Sequence, residues 1–177
     1  MLVEREKPRK TTSATFRIDA EIHEALQAHA RMNNMSVNTL INQLLDVWSD
    51  NDRFMDEVGL VRITRPNFKK FLKALPESRL AEIGSSAGKD LARSYMMAKD
   101  GGVSTTGVLH YVKVFSQHGG YARYNETETN GKKVIVLMHE FGRAGSAYIS
   151  AYVRSVFDLV DIRPVVTTNE ASVVIEL

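Results

Sequence analysis

The sequence predicts an α+β protein in two parts: a short strand-helix-helix segment, then a larger α+β domain with an antiparallel sheet. Three observations predict it. Residues 11–19, TTSATFRID, alternate polar and apolar side chains, the period of a half-buried strand. From Ala20 to Phe115 the apolar residues recur instead at helical spacing. Beyond Gly120 the period returns to two in YARYNETETNGKKVIVLMHEF and RPVVTTNEASVVIEL, with a helical pattern between them.

In order along the chain, Ser13, Thr15 and Arg17 fall on one face of the first strand, and Ala14, Phe16 and Ile18 on the other. The first helix, AEIHEALQAHARMNN, carries Ile22, Ala25, Leu26, His29 and Ala30 as an apolar stripe, with Asp19 placed to cap it. Asn33 and Asn34 break it, and Ser36 is placed to cap a second helix through Val37, Leu40, Ile41, Leu44, Leu45 and Trp48. SDNDR, residues 49–53, is polar and reads as the start of a linker.

Pro66 then opens a helix through Phe68, Phe71, Leu72 and Leu75. A longer one follows from about Glu77 to Lys99, with Leu80, Ile83, Ala87, Leu91 and Met96 inward and Gly101-Gly102 as its stop. Ser104 caps a third, with Val108, Leu109, Val112 and Phe115 inward. A hairpin turning at Asn130-Gly131, a helix over GRAGSAYISAYVRSVFDLV, and a closing hairpin turning near Asn169-Glu170 complete the chain. The expected organisation is a basic arm over 1–10, the strand-helix-helix over 11–49, a linker over 50–64, and an α+β dimerisation or sensor domain over 65–177.

Composition narrows the function. With 44% hydrophobic and 25% charged residues the chain is of ordinary globular type. It has no cysteine, which excludes disulfides, thiol catalysis and thiolate metal sites. No run of eighteen apolar residues marks a membrane span, and MLVEREKPRK lacks the apolar core of a signal peptide. A cytoplasmic protein with no membrane partner is expected. Net charge is only +2, but residues 1–17 hold Arg5, Lys7, Arg9, Lys10 and Arg17 against Glu4 and Glu6. Such an arm is either phosphate-seeking or a solvated tail.

Some forty residues do not normally hold a core alone, and an unpaired strand edge has to be covered. Both requirements are met if two chains pair their strands as an antiparallel ribbon and share the apolar faces of their helices. Here TFRID, AEIHEALQAHA and MNNMSVNTLI resemble the ribbon-helix-helix (MetJ/Arc/CopG) superfamily of DNA-binding proteins. The resemblance implies a swapped two-stranded ribbon in the major groove. Ser13, Thr15 and Arg17 then contact bases, while Ser36, Val37, Asn38 and Thr39 hold a phosphate at the N-terminus of the second helix, aided by Arg9 and Lys10. Arginine suits guanine through a bidentate contact, and serine or threonine serves several bases. The alternatives are the same fold used for dimerisation alone, or an edge strand of a larger sheet.

The element order of the second part is similar to the hydrocarbon-binding (four-vinyl-reductase-like) and haem-nitric-oxide-binding group of sensor domains, through GGYARY…GKKVIVLMHEFGRAGSAY. The cysteines near the end of hydrocarbon-binding members are missing here, and with them their metal site. His110, His118, His139 and Glu140 lack metal-ligand spacing. GSSAG at 84–88 and GRAG at 142–145 lack the surroundings of a phosphate loop and are expected to permit close helix packing. Tyr148, Tyr152 and Arg143 either line a pocket or pack in a core or dimer seam. No nucleophile, base and orienting group can be assembled, so neither catalysis nor a metal or other cofactor is expected.

The function expected is a sequence-specific transcription regulator that binds double-stranded DNA as a homodimer or dimer of dimers, with a small-molecule effector as a further partner. The rivals are an antitoxin or partition-type adaptor built on the same N-terminal fold, and an enzyme or haem protein built on the second domain.

Overall fold

Two helices follow the N-terminal segment: α1 (Ala20–Met32) and α2 (Val37–Val47). The structure, a computed structural model, describes residues 10–59, 61–129 and 131–177, and the chain divides into two compact units, Met1–Leu45 and Asp46–Leu177. In the first unit, Asn33 ends α1 and Asn34 takes up a left-handed backbone (φ 53°), a conformation asparagine tolerates better than most residues. Ser36 caps α2 as expected, its Oγ accepting from the Thr39 N–H at 3.0 Å.

Asp19 does not behave as expected. It occupies the N-cap position, but its side chain makes no capping hydrogen bond. Its carboxylate, with Glu21, instead complements the positive end of the helix dipole. Lys10–Asp19 carries no regular secondary structure. A strand exists only through pairing with a neighbour, and among the described residues of the first unit there is no other strand.

The expected linker also differs. The helical backbone runs through Trp48–Asp52 as a π-helical turn and on into α3 (Arg53–Val58). SDNDR is polar, yet Asn51, Phe54 and Met55 are all buried. Their i, i+3, i+4 spacing is one helical face, which outweighs the low helix preference of the polar residues between them.

The rest of the second unit follows the expected order: α4 (Arg65–Lys73), α5 (Glu77–Asp100), α6 (Thr105–Gln117), β1 (Arg123–Thr129), β2 (Lys132–Met138), α7 (Gly142–Asp158), β3 (Val165–Thr168) and β4 (Ser172–Glu176). Gly101 closes α5 in the left-handed region (φ 69°), and Ser104 Oγ caps α6 through the Gly107 N–H at 3.0 Å. The first hairpin turns through Gly131 (φ 75°); its other expected turn residue, Asn130, lies outside the described residues. The second turns where expected, with Asn169 Oδ1 accepting from the N–H groups of Ala171 and Ser172 at 2.8 and 2.9 Å.

The four strands form one antiparallel sheet in the order β1-β2-β4-β3. Pairing sets Ile135 opposite Ile175, Leu137 opposite Val173 and Val166 opposite Ile175. This alternate set is buried against the layer to which α6 and α7 belong. α5 lies along α7, and small residues decide how closely. A Cβ on Gly84 would stand 2.5 Å from the Tyr148 carbonyl oxygen, and one on Gly88 2.5 Å from both the Tyr152 carbonyl oxygen and Ser155 Oγ. GSSAG is therefore a packing seam, as its composition predicts. Three expected core residues are not enclosed: Phe71, Leu75 and Ile83 are all exposed.

Candidate nucleic-acid interface

The residues expected to face DNA lie in two groups. Ser13, Thr15 and Arg17 stand on the segment before α1, all three exposed, with Lys10 also exposed at its start. Arg9 lies outside the described residues. Phe16 and Ile18, on the alternate positions, are exposed as well, at 54% and 40%.

The second group is assembled by the turn between the helices. Met35 N–H donates to the Ala30 carbonyl at 3.0 Å, and Asn33 Nδ2 to the His29 carbonyl at 2.9 Å. These bonds deliver the chain to Ser36 at the start of α2. There the Ser36 and Thr39 hydroxyls lie 2.8 Å apart. Ser36 takes up the Thr39 N–H through its Oγ and the Leu40 N–H through its carbonyl. The Val37 and Asn38 N–H groups remain at the helix end, with no acidic residue in the first turn. Such a terminus favours an anion, through the two N–H groups and the helix dipole together. Asn38 and Thr39 are exposed beside it and Val37 is half-buried. The order of the segment thus brings Ser36 to Thr39 together at one helix end, while the Ser13, Thr15 and Arg17 set stands on its own segment.

The residues weighed in the second unit go elsewhere. Tyr152 is buried, with its hydroxyl 2.5 Å from that of Tyr111, and Tyr148 packs beside it. Arg143 is exposed and pairs with Glu170 at 3.1 Å. The histidines are dispersed. Lys99 Nζ donates to His110 Nε2 at 2.6 Å, His139 Nε2 lies 3.1 Å from Ser146 Oγ, and His118 is exposed after α6. His110 is held below the ordinary histidine value, first by burial and then by the Lys99 charge. Burial alone does the same to His139. Among the described residues, no group of three or more His, Asp or Glu side chains is placed to hold a metal ion, and no helix is long and apolar enough to cross a membrane.

One cluster escaped the sequence reading. Lys99 Nζ also reaches Asp50 Oδ1 at 3.1 Å and the Tyr95 hydroxyl at 3.3 Å. The Lys99–Tyr95 step of four residues on a helix was legible; the part played by Asp50, 49 residues away, was not.

A sequence model of the HicB family matches residues 4–45, roughly the first quarter of the chain. The match ends at the residue that closes the first compact unit. No curated protein and no solved structure matches the chain.

Proposed function

We propose that the protein is a homodimeric, sequence-specific DNA-binding regulator. Residues 11–19 of two chains pair as a ribbon, and the second unit serves oligomerisation or the sensing of a signal. The observation that carries this reading is the coincidence of the HicB match over 4–45 with a unit of two helices that leaves Phe16, Ile18, Ile22, Leu44 and Leu45 exposed. Pairing two copies covers those side chains, and each CH2 removed from water stabilises by about 0.8 kcal/mol. It also turns Ser13, Thr15 and Arg17 to the opposite face, towards the groove. Asn38 and Thr39 at the start of α2 then meet a phosphate.

Selection of bound sequences from a random DNA pool, followed by gel-shift titration, tests the proposal. Arg17→Ala should weaken binding to the selected site by roughly 1–3 kcal/mol and relax specificity there. Undiminished binding by that variant rules out readout by the ribbon.

The HicB match also favours a second reading, a toxin–antitoxin-related regulator whose first unit binds DNA and which grips a small toxin protein. A neighbouring gene for a short protein that arrests growth, with rescue on co-expression of this chain, supports that reading. DNA binding with no such neighbour leaves the first.

A further inference from the structure

Resting on the reading of the second unit as a sensing domain, we propose that Asp46–Leu177 contains a binding site for a small aromatic carboxylate. The site is a cavity of ≈ 520 Å³ between α3, α4, α6 and the stretch Arg62–Arg65, of the size that encloses a small organic ligand. Phe68, Tyr111, Phe115, Tyr121 and Phe141 wall it, with Met55 and Leu91 among the other apolar residues. The rings are already ordered against one another. Phe115 stacks on Tyr121 with centroids 4.4 Å apart, and Phe68 meets Tyr121 and Phe141 edge to face at 5.5 and 5.3 Å. A flat aromatic body can extend such an array by the same stacked and edge contacts.

Charge selects the head group. Burial raises the pKa of the Tyr111 and Tyr121 hydroxyls, so both stay neutral. The charged residues of the lining are Arg62, Arg65 and Asp52, with His118 beside them. Asp52 Oδ1 is already engaged by Asn51 Nδ2 at 2.8 Å. Arg65 is aimed by its own bond, Nε donating to the Gly120 carbonyl at 3.1 Å, which leaves the outer guanidinium nitrogens for another partner. The nearest acid, Glu140, is 3.9 Å from Nη1 in a pair whose side chains are each 63% exposed, and such pairs are weak.

Arg65 also borders an adjoining cleft of ≈ 430 Å³ lined by Arg123, His139, Asn169 and Ser172. That cleft shares Tyr121 and Phe141 with the first cavity and adds Met138 and Ala171 to its wall, so the guanidinium stands at the junction of two largely apolar hollows. A ligand with an apolar ring system and one carboxylate suits the ring array and the guanidinium together, because the planar guanidinium fork matches a carboxylate in two parallel hydrogen bonds.

Calorimetric titration of the full chain with biphenyl-4-carboxylate, and in parallel with the neutral biphenyl-4-carboxamide, tests the site. The acid should bind at least about tenfold tighter than the amide, the difference expected of one charged hydrogen-bonding partner. Arg65→Ala and Arg62→Ala should each weaken the acid and leave the amide unchanged, and Phe68→Leu should weaken both. Equal binding of acid and amide, full acid affinity in the Arg62/Arg65 double variant, or no saturable binding overturns the proposal. Gel-shift of the same samples separates the two readings. If the acid binds without changing DNA affinity, the site stands and the sensing role fails.

Discussion

In the first unit, Ala30 and Leu40 are the buried hydrophobic residues among those described, and Phe16, Ile22, Leu44 and Leu45 stand more than half exposed. The second unit encloses Tyr95, Tyr111, Ile135, Ile149, Tyr152 and Phe157 at 1% exposure or less. Both units carry helices of similar periodicity, so the difference lies in chain length and in layers. The second has a sheet and two long helices to close over its apolar faces, whereas two short helices have nothing of their own to close against. The first unit thus leaves more of its apolar surface open, the surface that the proposed pairing of two copies would cover.

The largest expected effect tests the self-sufficiency of the second unit. Phe157→Ala, at a side chain with 0% exposure, should cost about 3–5 kcal/mol in denaturant unfolding, through lost burial and the cavity left behind. A cost below about 1 kcal/mol would show that the α7 core is loosely held and narrow the contrast between the units.

Next comes the seam between α5 and α7. Gly88→Ala forces a methyl against the Tyr152 carbonyl oxygen and Ser155 Oγ, each 2.5 Å from its position, and should cost roughly 1–3 kcal/mol. Because the carbonyl belongs to helix backbone, relief requires a shift of α7, and the melting temperature is the readout. Gly101→Ala should destabilise for another reason, its φ of 69°, since nothing lies near its added Cβ.

Ser36→Ala addresses the first unit. Loss of the 3.0 Å cap to the Thr39 N–H should remove about 1 kcal/mol from α2. The proposed phosphate contact should weaken with it. Circular dichroism and salt-dependent gel-shift read the two losses separately. A variant that melts normally and binds DNA normally would remove Ser36 from the interface.

The smallest effect is on pH dependence. His110 and His139 both have pKa values lowered in the fold, from an ordinary 6.5. Above pH 6.5 they are neutral in the folded and unfolded chains alike. As the pH falls from there, the unfolded chain takes up protons that the folded chain resists, so stability should decline. His110 faces Lys99 and Lys113 as well as Asp50 and Asp100, and the net effect on it is set by burial and Lys99. His110→Gln should flatten the decline in melting temperature between pH 7 and 5. An unchanged slope would place the titration elsewhere.

The legibility of the sequence follows the same division. Caps and stops were readable wherever a local hydrogen bond or glycine enforced them: Ser36, Ser104, Gly101 and the turn at Asn169. Asp19 occupies its position without its bond, because nothing in the sequence specifies a side-chain rotamer. The polar composition of SDNDR points to a linker, whereas the helical period of Asn51, Phe54 and Met55 points to a buried helix face, and the period prevails. The gathering of Ser36 to Thr39 at a helix start is legible from the cap that Ser36 supplies. That Arg62 and Arg65 line one cavity is not legible in the sequence, since its other walls come from residues as distant as Phe115 and Phe141.

The sequence by itself determined the α+β class, the order of the elements in the second unit and the excess of apolar surface in the first, because each follows from periodicity and local backbone chemistry. Tertiary structure decided the strand order β1-β2-β4-β3, the approach of α7 to Gly84 and Gly88, and the meeting of Lys99 with His110 and Asp50. These join residues far apart in the chain, and which distant surfaces meet depends on how the whole set of apolar faces can be closed at once.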